Sequence, residues 1–556
     1  GLSGVFSATN IAYPGYQVDY GALIASLVPG GGPLVVNSIG DAGDGICDVT
    51  ECTLRDALIA ANLMPDPDVI EFDIPAPQCV GAGSACVIAP TSPLPAITGP
   101  VIVDGYSQPG ASPNVHPQSL GLGSNAVLTI ELDGNLVSGS PGLVVNAPSA
   151  LVTIAGLSIY RFGTGIVTQG PGDSNYQILG NFLGLRADGS AAPSGQQVGV
   201  SIQGGNTLIG NGAAFGMNVI SSNAQQGISI LSIPPLASLL VQGNLIGTAP
   251  NGVAALGNGL QGIGANTSSS IAGIFIGGDL PDERNVISGN LQDGIRFQCS
   301  ASVDNCFDGA RIIGNFIGLA VDGNPLGNLG NGVNLSAMNG GLVYIGGINP
   351  GEGNRIAFNG GNGILATFGG LGRASFVRNG IYLNGQQGID LGGDGRTAND
   401  VGDGDTGTNG LLNFPSFSSY SAPGGDSAII DVVLDTPDIG GNYPARVDFY
   451  TAVEDEPGVW LGTTTCSAPA VNCPASFAFP GGVTVAPDDV VLGIVTDGFG
   501  KSSEASFYAT ATTVSAPDGT IGTPYTATVE VAVAEPFTAL GTVEVDDGNG
   551  ESCVAS

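Results

Sequence analysis

Between positions 279 and 296 the chain sets out Asp279, Asp282, Glu283, Arg284, Asp293 and Arg296, four carboxylates and two guanidiniums. A glycoside hydrolase needs two or three carboxylates facing one another, one to protonate the leaving oxygen and one to act as base or nucleophile. Asp279, Asp282, Glu283 and Asp293, with Arg296, are the residues that would carry such chemistry. A β-eliminating lyase needs instead a base beside a uronate subsite and positive charge for the polyanion. Against it, Arg161, Arg186, Arg284, Arg296, Arg311, Arg355, Arg373 and Arg378 are scattered, and Lys501 is the only lysine of the chain. The plain alternative to both is a solvated corner loop.

A second chemistry is offered by "DGRTANDVGDGDTGTNG", which places Asp394, Asp400, Asp403 and Asp405 among glycines that let the backbone curl round a hard cation. Calcium takes such oxygen ligands, although the spacing is not that of an EF-hand. "DAGDGICD", with Asp41, Asp44 and Asp48, is a second set of the same kind.

The wider composition narrows the field. Twelve basic against 47 acidic residues leave a net charge of −35, which repels phosphate backbones and anionic headgroups and argues against nucleic-acid or membrane-surface partners. No apolar run is long and uninterrupted enough to span a bilayer. Nine cysteines include four close pairs, Cys47 with Cys52, Cys79 with Cys86, Cys299 with Cys306 and Cys466 with Cys473. No pair is C-x-x-C and His116 is the sole histidine, so local disulfides are expected rather than zinc, and with them an extracellular or cell-surface setting. Cys553 is left over, and its partner is expected downstream of this chain.

These residues are set within repeats. "ILGNFLGL", "VQGNLIGT" and "IIGNFIGL" share a GN-φ-φ-G pattern, φ being apolar, with Gly180, Gly243 and Gly314 at intervals of 63 and 71 residues. Between them recur "NVISSNAQQGI" from Asn218, "NVISGNLQDGI" from Asn285 and "NRIAFNGGNGI" from Asn354, with a degenerate copy around Asn384. Apolar residues come in short alternating bursts separated by Gly and Asn, the mark of many short strands. The expected fold is all-β, a right-handed parallel β-helix followed by immunoglobulin-like β-sandwich modules. Divided by three, the unit gives turns of about 21 to 24 residues. Asn218, Asn223, Asn285, Asn290, Asn354, Asn359 and Asn384 then fall at corners, where Asn tolerates positive φ and side-chain amides can bond from one turn to the next. In this light Asp293 aligns with Gln226 and Asn362 of its sister copies, at a position that varies, while the amides and Gly-Ile pairs recur.

An open β-helix end exposes strand edges and needs a cover. "CTLRDALIAAN" reads as a cap helix, with Thr53 as N-cap, Asp56 at the third helical position and Leu54, Ala57, Leu58 and Ala61 on one apolar face. The expected boundaries are 1–33 for an apolar N-terminal arm, 34–415 for the β-helix with its cap, 416–513 for a sandwich, and 514–556 for the start of a second, truncated one. The arm carries one charge, Asp19, and is expected to pack on its own β-helix or on a neighbouring subunit.

"VNSIGDAGDGICDVTECTLRDALIAAN" resembles the CSLREA-type N-terminal motif of large secreted bacterial β-helix proteins, with Cys-Thr-Leu-Arg-Asp-Ala standing for Cys-Ser-Leu-Arg-Glu-Ala. "GQQGIDLGGDGRTANDVGDGDTGTNGLLNFP" is similar to the segment that ends the β-helix in that group, and "GIVTDGFGKSSEASFYA" to the last strands of the sandwich that follows. The tail from about 514 resembles bacterial Ig-like stalk repeats. The resemblance implies an adhesin-like or structural surface protein and brings no catalytic residues with it. The expected function is therefore a non-enzymatic extracellular structural or adhesive protein of a bacterial surface, self-associating end to end into a fibre or attached to the surface. A polysaccharide-active enzyme and a carbohydrate-binding adhesin are the alternatives, and calcium is the one cofactor expected.

Overall fold

Apolar runs of two to five residues are too short for stable helices, and strands of that length need partners from elsewhere in the chain. Here the partners lie one coil away. The computed structural model describes residues 32–508 apart from 194, 268–269, 300–304, 369–371, 422–424, 455 and 486–489, and beyond them four strands. The arm expected at 1–33 lies outside the described residues except for its last two.

Three parallel sheets run the length of the first domain. The first has 11 strands, from Leu34–Val36 to Arg373–Val377; the second has 10, from Cys86–Ile88 to Gly380–Tyr382; the third has 9, from Pro141–Val145 to Ile389–Leu391. One coil, Leu239–Val241, Leu245–Ile246 and Ile263–Thr267, stacks in register on the next, Val241 against Ile276, Ile246 against Ile287 and Ile263 against Ile295. Those inward-facing residues are fully buried and form one continuous core. This is a parallel β-helix.

The expected coil length is corrected. Through the repeats, first-sheet strands begin at 175, 206, 239, 274, 311, 342 and 373, so a coil there takes 31 to 37 residues and the repeat holds two coils rather than three. The two differ in where the slack lies. From Val241 the chain reaches Leu245 at once but takes a long loop from Ile246 to Ile263; in the next coil the long loop runs from Gly277 to Val286 and Ile287 connects quickly to Ile295. GN-φ-φ-G and N-x-I-x-x-N are thus one corner seen in alternate coils. Gly247 (φ +91) and Gly277 (φ +88) turn such corners, where an added Cβ would stand 2.3 Å from Ser288 O and 2.0 Å from Ile313 O.

Residues 105–128 leave the coil and run as a strap along the outside of the second sheet. Tyr106 Oη donates to Gly180 O (2.7 Å), Ser119 N–H to Asp282 Oδ1 (2.9 Å) and Ser124 N–H to Pro250 O (2.7 Å). Beneath lies a second apolar cluster that includes Phe182, Phe215, Leu245 and Phe316.

Both ends are covered. The helix Leu54–Leu63 starts at N-cap Thr53 with the reciprocal Thr53–Asp56 capping box and buries Leu54, Ala57, Leu58 and Ala61. After Leu391 a link leads to two small antiparallel sheets, one of three strands between Ser416 and Ala478 and one of four between Ala445 and Tyr508. They enclose Ile430, Val432, Val447, Phe449, Leu461 and Val495 as a sandwich core. The four disulfides join Cys47 to Cys52, Cys79 to Cys86, Cys299 to Cys306 and Cys466 to Cys473. Further on, Ala511–Ser515 pairs with Thr528–Ala532 and Val543–Asp546 with Ser552–Ala555, both antiparallel. The pairing of Cys553 lies outside what is described.

Candidate functional site at the helix–sandwich joint

Two files of amides run through the corners of the β-helix. In the first, each Nδ2 donates to the next Oδ1 along Asn181, Asn218, Asn244, Asn285, Asn315, Asn354 and Asn379, at 2.8–3.2 Å. In the second the order is Gln196, Asn223, Asn258, Asn290, Asn328, Asn359 and Asn384, at 2.8–3.2 Å. Each amide also ties down backbone: Asn285 Nδ2 donates to Val241 O (2.7 Å), and Asn285 Oδ1 accepts from Asn244 N–H (3.0 Å). Asn181, Asn244, Asn258, Asn315, Asn328, Asn379 and Gln196 were not singled out from the sequence. The signal for Asn181, Asn244 and Asn315 was the Asn of GN-φ-φ-G, whose equivalence to Asn218 and Asn285 is hidden by the alternation of the loops.

The catalytic candidates are brought together only in part: the carboxyls of Asp279 and Glu283 interact, while Asp293 is set apart from them. Asp279, Asp282 and Glu283 lie in the loop entering the second sheet, while Asp293 lies at the corner leaving it. Asp282 accepts the strap's Ser119 N–H, and Glu283 accepts Leu280 N–H (3.3 Å) with its pKa raised, chiefly by burial. Asp293 is 6% exposed and accepts from Asn331 N–H (2.8 Å), Asn331 Nδ2 (2.8 Å) and Asn334 Nδ2 (3.0 Å). Arg284 stacks on the Phe316 ring (4.0 Å), and among the described ion pairs none joins Arg296 to Asp293. Asp293 serves a corner stack that Asn331 and Asn362 continue. Asp293→Asn is accordingly expected to cost under about 1.5 kcal/mol in a urea melt, since the amide oxygen still accepts from Asn331 and a flip of the Asn334 amide, whose Oδ1 has no partner, lets it accept from the new NH2; a loss of several kcal/mol would give the carboxylate a role the stack does not explain.

The acidic set of Asp41, Asp44 and Asp48 is dispersed. Asp41 takes Arg55 (2.8 Å) and Thr91, Asp44 takes Ile46 N–H, and Asp48 takes Thr50 and Glu51 N–H, which lower its pKa. In the set that follows the β-helix Asp394 is exposed and stands apart. Asp400, Asp403 and Asp405 converge, each offering an oxygen within 4.8 Å of the others. Burial, before any other cause, raises the pKa of Asp403 and Asp405, and Asp405 Oδ1 is buried without a hydrogen-bond partner. Three converging carboxylate oxygens, one of them orphaned, suit a hard divalent cation. Asp403 and Asp405 line a cleft of about 950 Å3 between the last coil and the sandwich, whose walls also carry Arg373, Asp497, Phe499 and Lys501.

The same joint closes the β-helix. The second file donates forward at every step, so its last amide needs an acceptor; Glu456 of the sandwich accepts Asn384 N–H (2.9 Å) and Nδ2 (3.3 Å). Glu504 accepts Leu391 N–H (2.8 Å) and Thr397 N–H (2.7 Å), Ser502 Oγ accepts Phe376 N–H (2.8 Å), and Tyr450 Oη accepts Arg378 N–H (3.0 Å). Glu456 and Glu504 are 5% and 3% exposed, and burial pushes the pKa of each up to about 7 against the hydrogen bonds that lower it. Neither glutamate was foreseen; their contacts span 72 and 113 residues. Comparison of the chain with protein-family models and with curated proteins finds no match.

Proposed function

We propose that the chain is a non-enzymatic, extracellular structural or adhesive protein of a bacterial surface, with the β-helix as its rod. The observation that carries this reading is the engagement of the corner polar groups: the recurrent motif supplies two files of buried amides, and the carboxylates nominated for catalysis are split between two corners and bonded to backbone and amides. Four disulfides and the absence of any long apolar helix among the described residues fit a secreted or surface location. The kinship with CSLREA-type proteins and the immunoglobulin type of the sandwich belong to the same proposal. So does a calcium ion at the acidic loop.

Reducing-sugar and unsaturated-uronate assays on a panel of polysaccharides are expected to be blank. Turnover abolished by Glu283→Gln or Asp293→Asn would overturn the proposal. End-to-end assembly of the rod into a fibre belongs to the same reading. Negative-stain images showing only discrete monomers in all conditions would overturn the fibre. The cleft at the joint favours one second reading, a carbohydrate-binding adhesin without turnover, with Arg373, Lys501 and Phe499 on its wall; specific retention on a glycan array would support it.

A further inference from the structure

Negative charge accumulates where the link from the β-helix meets the sandwich. Asp400, Asp403 and Asp405 belong to the link, and Asp435 and Asp438 to the sandwich loop facing it. Gly402 N–H crosses to Asp435 Oδ2 (3.0 Å), and Tyr443 Oη donates to Thr436 O (2.8 Å) on the same side of the seam. Like charges gathered across the seam between two domains oppose docking unless something neutralises them. Arg373 and Lys501 line the same cleft but are engaged on its other wall, Arg373 Nη1 donating to Phe499 O (3.0 Å) and both cationic side chains acting on the Asp497 carboxylate.

A second observation comes from Thr436, which also lines the cleft. It is 7% exposed, and its Oγ1 is buried with no hydrogen bond of acceptable geometry. Asp403 and Asp405 line the same cleft, and Gly402 N–H reaches across to Asp435, the residue before Thr436, so the unpartnered hydroxyl lies at the acidic cluster. A buried hydroxyl left in this way costs free energy that a ligand would recover. Asp405 Oδ1, in the same place, is orphaned too.

We propose that Asp400, Asp403 and Asp405 of the link and Thr436 of the sandwich together bind one calcium ion, which pins the sandwich onto the end of the β-helix. The proposal rests on reading the acidic loop as a cation site, and it adds to that reading a ligand from the other domain. Calcium, a hard ion of flexible geometry, accepts carboxylates together with a hydroxyl, and leaves positions for water. Three carboxylates tied to one divalent ion also remove most of the repulsion that the seam would otherwise carry.

The test uses the full chain, stripped by chelation and titrated with calcium chloride by calorimetry, with melting curves and limited proteolysis across the link on the same samples. One site per chain is expected, with Kd between about 10⁻⁶ and 10⁻⁴ M. Calcium should raise the midpoint of the transition that exposes the sandwich and protect the link from cleavage. Asp403→Asn should weaken binding at least a hundredfold and Thr436→Val about tenfold, Thr436→Ser should restore it, and Asp394→Asn should leave it unchanged. Absence of calcium binding by the wild-type chain would overturn the cation reading and the pin with it. Binding lost in Asp403→Asn but unaltered in Thr436→Val, with no change in protection of the link, would leave the cation site standing and overturn the pin alone.

Discussion

Asn285→Ala is expected to lower the unfolding free energy by about 4 kcal/mol, because it strands several buried polar groups at about 1–3 kcal/mol each. Asn244 N–H and Nδ2 lose the Oδ1 they share, Asn315 Oδ1 loses one donor and Val241 O another. No water can reach the gap easily, since Asn244, Asn285 and Asn315 are all fully buried. Asn285→Asp should not rescue the loss, for it keeps the acceptor but turns an oxygen toward Val241 O and Asn315 Oδ1. Asn266→Ala, on an exposed position of the third sheet, should change stability by less than about 0.5 kcal/mol. Urea unfolding of the three variants side by side provides the check. Equal small effects would mean that the amide files are dispensable to the rod.

The second large effect concerns pH. Glu456 and Glu504 titrate near 7 in the folded chain and have an ordinary value of 4.5. Since the folded pKa lies above the unfolded one, the folded state holds protons that the unfolded state has released. Their contribution is fully present below about 4.5 and is lost as pH rises through about 7. The surroundings make the ionised forms costly: Glu454 stands near Glu456, and Asp390 near Glu504, with Arg396 only partly offsetting the latter. The loss should be on the order of 2 kcal/mol for each carboxyl between pH 5 and 8. Melting midpoints should therefore fall over that range, and fall less in Glu456→Gln and Glu504→Gln, which keep a carbonyl oxygen as acceptor for the coil's N–H groups. A pH profile identical in wild type and both variants would show that these two groups do not set it.

What the sequence disclosed followed from how local each signal was. The cap helix could be read residue by residue, since Thr53, Asp56 and the Leu54–Ala57–Leu58–Ala61 face all lie within one short segment. The strands could be read from the alternation of Val, Ile and Leu with Gly and Asn. The coil length could not, because adjacent coils carry their long loop at different corners; Asn244 and Asn285 occupy one site yet sit in motifs that look unrelated. The same displacement hid half of each amide file. At the joint the reason is distance along the chain. Asp400, Asp403 and Asp405 were visible as a group and do converge, whereas Thr436, Glu456 and Glu504 reach the coil end only through the fold of the sandwich. Asp293 and Arg296 show the opposite hazard, neighbours in sequence that point the eye to chemistry while one faces a stack of amides.

The alternation of loops also fixes what can vary. Only a pair of coils restores the same loop at the same corner, so the rod can gain or lose length in units of two strand spacings, about 10 Å, with the amide files running on through each added pair. The cap helix at one end and the sandwich at the other meet the same kind of coil whatever the number of pairs between them. Reach is thus an integer quantity, counted in copies of the repeat, and it is independent of how either end is closed.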